Sequence, residues 1–228
     1  MSRISKAAKP LLNSQPQLSS VSAYLSHAET NSLRPTSTAF IGTLYELHVR
    51  DELQRLLGIP HLDHYGGSYD NGRDLGGTWD ISRYICTPPE LIKPIRVRGR
   101  TVKPIALRKS HKMDLLIQCK CFSSKLTAKE IRELSGIFNY NVRPKDKYTT
   151  LAIMSSPLNL TKQAMEQMDR SEFPLMYVQI PPLRRRIEGN GVYDPQSYVG
   201  DALHGVYLNP LTCALWEGTQ LLDISRRV

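Results

Sequence analysis

No stretch of this chain approaches the roughly 18 consecutive apolar residues that a membrane-spanning helix needs. Cysteine is scarce: Cys86, Cys119, Cys121 and Cys213 are the full set, with no C-x-x-C pair among them. Cys119 and Cys121 would share one face of a strand, a poor layout for a zinc site or a disulfide. The four therefore read as reduced core residues of an intracellular protein. The histidines are scattered without metal-ligand spacing, and His48, His61, His64, His111 and His204 receive no catalytic role. No internal repeat and no long low-complexity tract is present. Acid is short relative to base: 21 Asp and Glu against 30 Lys and Arg give a net charge of +9. That balance points to a polyanionic partner, nucleic acid ahead of an anionic membrane.

The shortage of acid is sharpest at the N-terminus. "MSRISKAAKPLLNSQPQLSSVSAYLSHA" carries Arg3, Lys6 and Lys9, is rich in serine, and has no acid before Glu29. It lacks the apolar core of a secretory signal. Its composition suits a mitochondrial transit peptide, or else a disordered arm, over residues 1–35. Residues 36–182 form the main domain, with a basic insert at about 85–112, and 183–228 form a C-terminal extension packed on it.

Folded sequence is expected from near Thr38. "TAFIGTLYELHVRDELQRLLGI" has mostly helical apolar spacing, stopped by Gly58-Ile59-Pro60. Glycine-rich turns follow around short extended pieces, with a second strand near 75–84. "KPIRVRGRTVKPIALRKSHK" is basic without an acid, and Pro94 and Pro104 argue against a continuous helix or central strand, so it reads as an inserted loop or hairpin. Arg96, Arg98, Arg100, Lys103, Arg108, Lys109 and Lys112 in it, with Arg73 upstream, are the candidate phosphate contacts. Residues 113–122 read as a strand. Thr127 and Glu130 make a capping box before a helix with Ile131, Leu134, Ile137 and Phe138 inward. Strand, helix and strand follow, and "HGVYLNPLTCALWEG" reads as a hairpin around Asn209-Pro210. The order is that of one α/β domain.

The strand "MDLLIQCKCF" carries the chemistry. Alternation puts Leu115, Ile117, Cys119 and Cys121 on an apolar face and Asp114, Leu116, Gln118 and Lys120 on the other. A lysine beside a sheet core needs a charged partner. Gln118 offers an oxygen ligand and Lys120 a positive charge. Asp74, in the turn "NGRDLGG", and Glu46, on the first helix, offer carboxylates that could hold Mg²⁺ or Mn²⁺ with Gln118. Asp114 is the alternative ligand. Each residue also has an ordinary use: Asp74 as a turn cap, Glu46 paired with Arg50, Lys120 as a solvent-reaching side chain.

The blocks "IGTLYELHVRDELQRLLG", "YGGSYDNGRDLGG" and "LLIQCKCFSSKLTAKEIRELSG" resemble, in order, the pattern of the Mrr-like restriction endonucleases of the PD-(D/E)xK nuclease superfamily. They also resemble a fungal mitochondrial family named for its requirement in respiratory growth. The resemblance covers about residues 38–180. It implies a restriction-endonuclease-like αβββαβ core with a mixed central sheet, and metal-dependent hydrolysis of DNA by activated water. It matches Glu46 to the helix carboxylate, Asp74 to the principal metal ligand, Gln118 to the second ligand position and Lys120 to the catalytic lysine. The backbone carbonyl of Cys119 completes the metal shell. Gln118 stands where the parent motif has an acid, and the Asp74–Gln118 interval is longer than a hairpin needs, the basic insert filling it. A metal-dependent endonuclease in mitochondria, in the matrix on mitochondrial DNA, is therefore the leading expectation. A catalytically weak or inactive DNA-binding module is the alternative, and an RNA-directed nuclease a third reading, since phosphate contacts do not separate the two polymers. Many members of the superfamily dimerise to cut both strands, so a homodimer is expected by resemblance only.

Overall fold

The computed structural model describes residues 19–66, 71–186 and 191–226. Most of the expected leader, at 1–18, lies outside the described residues, as do residues 67–70 of the glycine-rich turn. The folded chain begins before Thr38. Helix α1 (Val21–Thr30) opens on Ser20, whose hydroxyl accepts from the Ala23 N–H at 3.0 Å. It buries Tyr24, Leu25 and Ala28 against Phe40, Leu44 and Leu47 of α2 (Thr38–Leu57). Arg50 reaches back from α2 to the carbonyl of Ser19 at 3.0 Å. Ser37 caps α2, and Gly58, at φ +55°, ends it in the left-handed conformation that a side chain disfavours.

Next come β1 (Asp63–His64), β2 (Leu75–Asp80), the hairpin β3 (Ile95–Val97) and β4 (Arg100–Val102), and β5 (Lys112–Cys119). Helix α3 (Ala128–Asn141) follows, with the Thr127–Glu130 capping box formed in both directions. β6 (Thr150–Ser156), α4 (Lys162–Asp169) and β7 (Leu175–Gln179) complete the alternating run. Short strands β8 (Arg184–Arg185) and β9 (Tyr198–Val199) pair with each other, and β10 (Gly205–Leu208) and α5 (Pro210–Leu215) follow, before a 3-10 segment at Gln220–Arg226.

The central sheet has the order β1-β2-β5-β6-β7-β10. β5, β6 and β7 are parallel, and β1, β2 and β10 run antiparallel to their neighbours, so the fold is mixed α/β with a mixed sheet. Every residue of β6 is buried, as a strand covered on both faces must be. α3 and α4 cover one face through Leu116, Ile131, Leu134, Phe138, Ala164 and Met168. α2 and α5 lie on the other, over Met113, Leu115 and Ile117. There Trp79 and Trp216, both fully buried, meet edge to face with centroids 5.9 Å apart, so residues beyond 182 feed the same core.

Asn209-Pro210 is not a hairpin turn. Asn209 caps α5, its side chain accepting from the Thr212 N–H at 3.0 Å, and Pro210 takes the first helical position, where its missing N–H costs nothing. Asx-Pro signals both a turn and a helix start, and here burial of Leu211, Ala214 and Leu215 selects the helix.

Candidate active site

The strand β5 alternates as its sequence requires. Met113, Leu115 and Ile117 are buried on the α2 face, with Cys119 and Cys121 partly buried against the same cluster. Leu116 sits under α3 and α4. The polar residues of interest therefore gather at the strand's C-terminal end, beside the ends of β6 and β7.

Asp74 precedes β2 where its pairing with β5 ends, at Leu75↔Ile117. Its backbone N–H donates to the Ile117 carbonyl at 3.0 Å. Its carboxylate Oδ2 accepts from the Cys119 N–H at 2.6 Å. Two contacts thus fix Asp74 against the backbone on either side of Gln118, although 45 positions separate Asp74 and Cys119 in the chain.

Gln118 is 3% exposed, and its Oε1 has no hydrogen-bond partner among the described residues. A buried acceptor without a donor costs about 1–3 kcal/mol. A buried oxygen left unpartnered, one residue before the amide that binds the Asp74 carboxylate, suits a hard cation that takes oxygen ligands. Among the described residues no group of three or more His, Cys, Asp or Glu forms a metal cluster. The oxygens that this end of β5 brings forward are instead the Asp74 carboxylate and the Gln118 amide oxygen.

Lys120 has the partner its position demands, and it lies outside the sequence expectation. Nζ donates to Glu133 Oε1 of α3 at 3.0 Å, with the side chains 20% and 45% exposed. Glu46 is likewise paired, not with Arg50 but with His64 of β1: Nε2 lies 2.7 Å from Oε2. Arg50 turns to Asp51 and Ser19 instead. The Cys119 thiol is pushed well above its ordinary value, by burial first and then by the carboxylates of Asp74 and Glu46, while Lys120 pulls it down. All three charges therefore act on one position near the end of β5.

The basic insert is elsewhere. β2 carries the chain from Asp74 down to Asp80, which pairs with Lys112 at the start of β5. At about 3.3 Å per residue that end lies about 23 Å from Cys119. Arg98 donates to the carbonyls of Asp169 and Arg170 at the end of α4, and Arg100 pairs with Glu172, in the loop before β7, at 3.4 Å. Arg108 donates to the carbonyls of Tyr148 and Lys103, at 2.9 Å and 3.0 Å. These three guanidiniums hold the hairpin to the domain. Arg96, Lys103, Lys109 and Lys112 are exposed. Arg73 alone of the expected phosphate contacts stays by Asp74. It lies 4.7 Å over the Tyr65 ring and lines a polar cleft of about 390 Å³ with Asp63, Thr78, Asp114 and Arg143. Asp114, the alternative ligand, accepts from Thr78 Oγ1 at 3.1 Å near the insert end of β5.

His64 and Glu133 are the site residues that sequence reasoning missed. Glu133 stands inside the "RELSG" block, one helical turn from the capping box, so its helix position was readable and its partner was not. His64 gave no signal beyond its place before the double glycine.

A family model described as Required for respiratory growth protein 7 matches residues 37–215. The chain is 35% identical over 196 residues to the mitochondrial protein of that name from Vanderwaltozyma polyspora, covering 75% of this chain and 78% of the relative. It is 34% identical over 163 residues to the one from Kluyveromyces lactis, covering 68% and 70%. Against the one from Candida glabrata it is 29% identical over 211 residues, covering 86% and 82%. No solved structure matches the chain.

Proposed function

This chain belongs to the Required for respiratory growth protein 7 family and is a mitochondrial protein, and on that premise we propose that it is a metal-dependent DNA endonuclease with a restriction-endonuclease-like core, working in the matrix. One observation carries the reading: the Asp74 carboxylate is clamped to the amide of Cys119, the residue after Gln118, whose buried side-chain oxygen is unpartnered, on a strand whose next charged residue is Lys120.

Asp74, Gln118, the Cys119 carbonyl and Glu46 would hold Mg²⁺ or Mn²⁺. When bound, the cation supplies an activated water and a Lewis acid for the phosphodiester. The protein's own groups do the rest. The Cys119 N–H fixes the orientation of the Asp74 carboxylate. Glu133 holds the Lys120 ammonium at the strand end, where it can stabilise charge developing on a phosphate. Gln118 contributes an oxygen without a charge, so the site would hold its cation with one fewer negative charge than it would with an acid at position 118.

The second reading, a DNA-binding module with weak or no catalysis, is favoured by the position of the insert. Its exposed lysines and Arg96 stand at the far end of the sheet, so a polyanion could bind there without reaching Asp74. The test is incubation with plasmid, branched and single-stranded DNA, and with RNA, in Mg²⁺ or Mn²⁺. The endonuclease reading expects DNA cleavage that a chelator abolishes. Salt-sensitive binding without cleavage supports the second reading, and preferential cleavage of RNA would reassign the substrate.

A further inference from the structure

The geometry points to His64 as a positioning residue that sets the orientation of Glu46 for the cation. The inference rests on the proposed metal site and adds a residue that neither composition nor motif assigned.

His64 ends the two-residue strand β1 and pairs with Leu75, the residue after Asp74. Its ring crosses to α2, where Nε2 lies 2.7 Å from Glu46 Oε2, and the two side chains are 7% and 17% exposed. A carboxylate accepts only, so Nε2 carries the hydrogen. The contact occupies Oε2 and fixes the rotamer of Glu46. A long side chain that must present one oxygen to a cation gains most from such a second partner, because it loses less freedom on binding.

The chain around His64 is built for the contact. Gly66 lies against the imidazole: a Cβ there would stand 2.5 Å from the ring Cε1 and 2.9 Å from Nε2. Any side chain at 66 would push the ring off Glu46. Between them, the Tyr65 N–H donates to the Asp74 carbonyl at 2.9 Å. Residues 64–66 therefore tie the helix carboxylate to the turn that carries Asp74. This gives the first glycine of the "YGG" stretch a physical reason: it makes room for the ring.

The test uses the full chain and Mn²⁺ as the probe, with affinity read by titration calorimetry and plasmid cleavage measured alongside. His64→Phe keeps an aromatic ring and loses the donor; His64→Gln keeps a donor. His64→Phe is expected to weaken Mn²⁺ binding roughly tenfold or more, the range for groups that orient metal ligands. His64→Gln is expected to recover most of that loss, and Gly66→Ala to weaken binding as His64→Phe does. On a Glu46→Gln background, His64→Phe is expected to add nothing, because it acts through Glu46. Wild-type affinity in His64→Phe, or a loss undiminished in the Glu46→Gln background, would overturn the inference. Absence of Mn²⁺ binding by the wild type would overturn it together with the metal site. Mn²⁺ binding that follows the expected pattern without DNA cleavage would uphold His64 while sinking the endonuclease reading.

Discussion

The carboxylate of Asp74 accepts a hydrogen bond from the backbone N–H of Cys119 at 2.6 Å, across 45 positions of sequence. That contact takes a residue from a glycine-rich turn and fixes it beside the one strand where Gln118 and Lys120 alternate with a buried face. Charge-assisted bonds of this kind are short and about twice as strong as neutral ones. Asp74 is thereby held by the strand, and the two segments meet only once both have folded.

Gln118 distinguishes a site built for a ligand from one built for stability. Replacing its unpartnered oxygen by an apolar group, in Gln118→Leu, is expected to raise stability by about 1 kcal/mol while abolishing cation binding. Gln118→Glu is expected to do the reverse: lower the melting temperature without metal, because a buried carboxylate is added to that of Asp74, and show a larger Mg²⁺-dependent rise than the wild type. Thermal melts with and without Mg²⁺ read both.

Glu133→Gln separates orientation from folding. The Lys120–Glu133 pair is partly exposed, so its loss is expected to change stability by less than about 1 kcal/mol. Turnover is expected to fall about tenfold, since the ammonium loses the partner that holds it at the strand end. Single-turnover cleavage, with unfolding in urea as the control, measures the two effects separately.

Alkaline pH is expected to destabilise the fold. Burial pushes the Tyr177 and Tyr207 hydroxyls up to about 12, and that of Tyr45 higher than its ordinary value. Tyr177 donates to the carbonyls of Ser156 and Leu158, and Tyr207 to Asp169 Oδ1 at 2.8 Å. In the unfolded chain these groups ionise near pH 10. Their contribution is complete below pH 10 and is lost as pH rises from 10 through 12. Denaturant midpoints measured across that range should fall, and phenolate absorbance of the native protein should show a late phase that unfolding removes.

The import signal and the fold are expected to part before α1. Deleting residues 1–18, which hold Arg3, Lys6 and Lys9, is expected to abolish import and leave the melting temperature unchanged. Deleting 1–35 also removes the buried Tyr24, Leu25 and Ala28, and a Leu and a Tyr together are worth about 4 kcal/mol of burial. Import assays and melts of both truncations test the boundary.

Periodicity made much of this fold readable. The apolar spacing of α2 and α3, the capping box at Thr127 and the two-residue alternation of β5 are local signals, and each element forms where they stand. What stayed hidden is non-local or ambiguous. The partners of Glu46 and Lys120 lie 18 and 13 positions away, with no spacing rule to pair them. The direction of the basic hairpin depends on β2 running antiparallel to β5, which sends it away from Asp74. α1 hid because basic, serine-rich composition masked the burial of Leu25 and Ala28.

Cleavage of plasmid DNA by Asp74→Ala and Lys120→Ala, beside the wild type in Mg²⁺, tests the site most directly. Both variants are expected to fold and to lose activity by about 100-fold or more, the scale for removing one charge-stabilising group. Cleavage by both at the wild-type rate would contradict the assignment of the site to this corner of the fold.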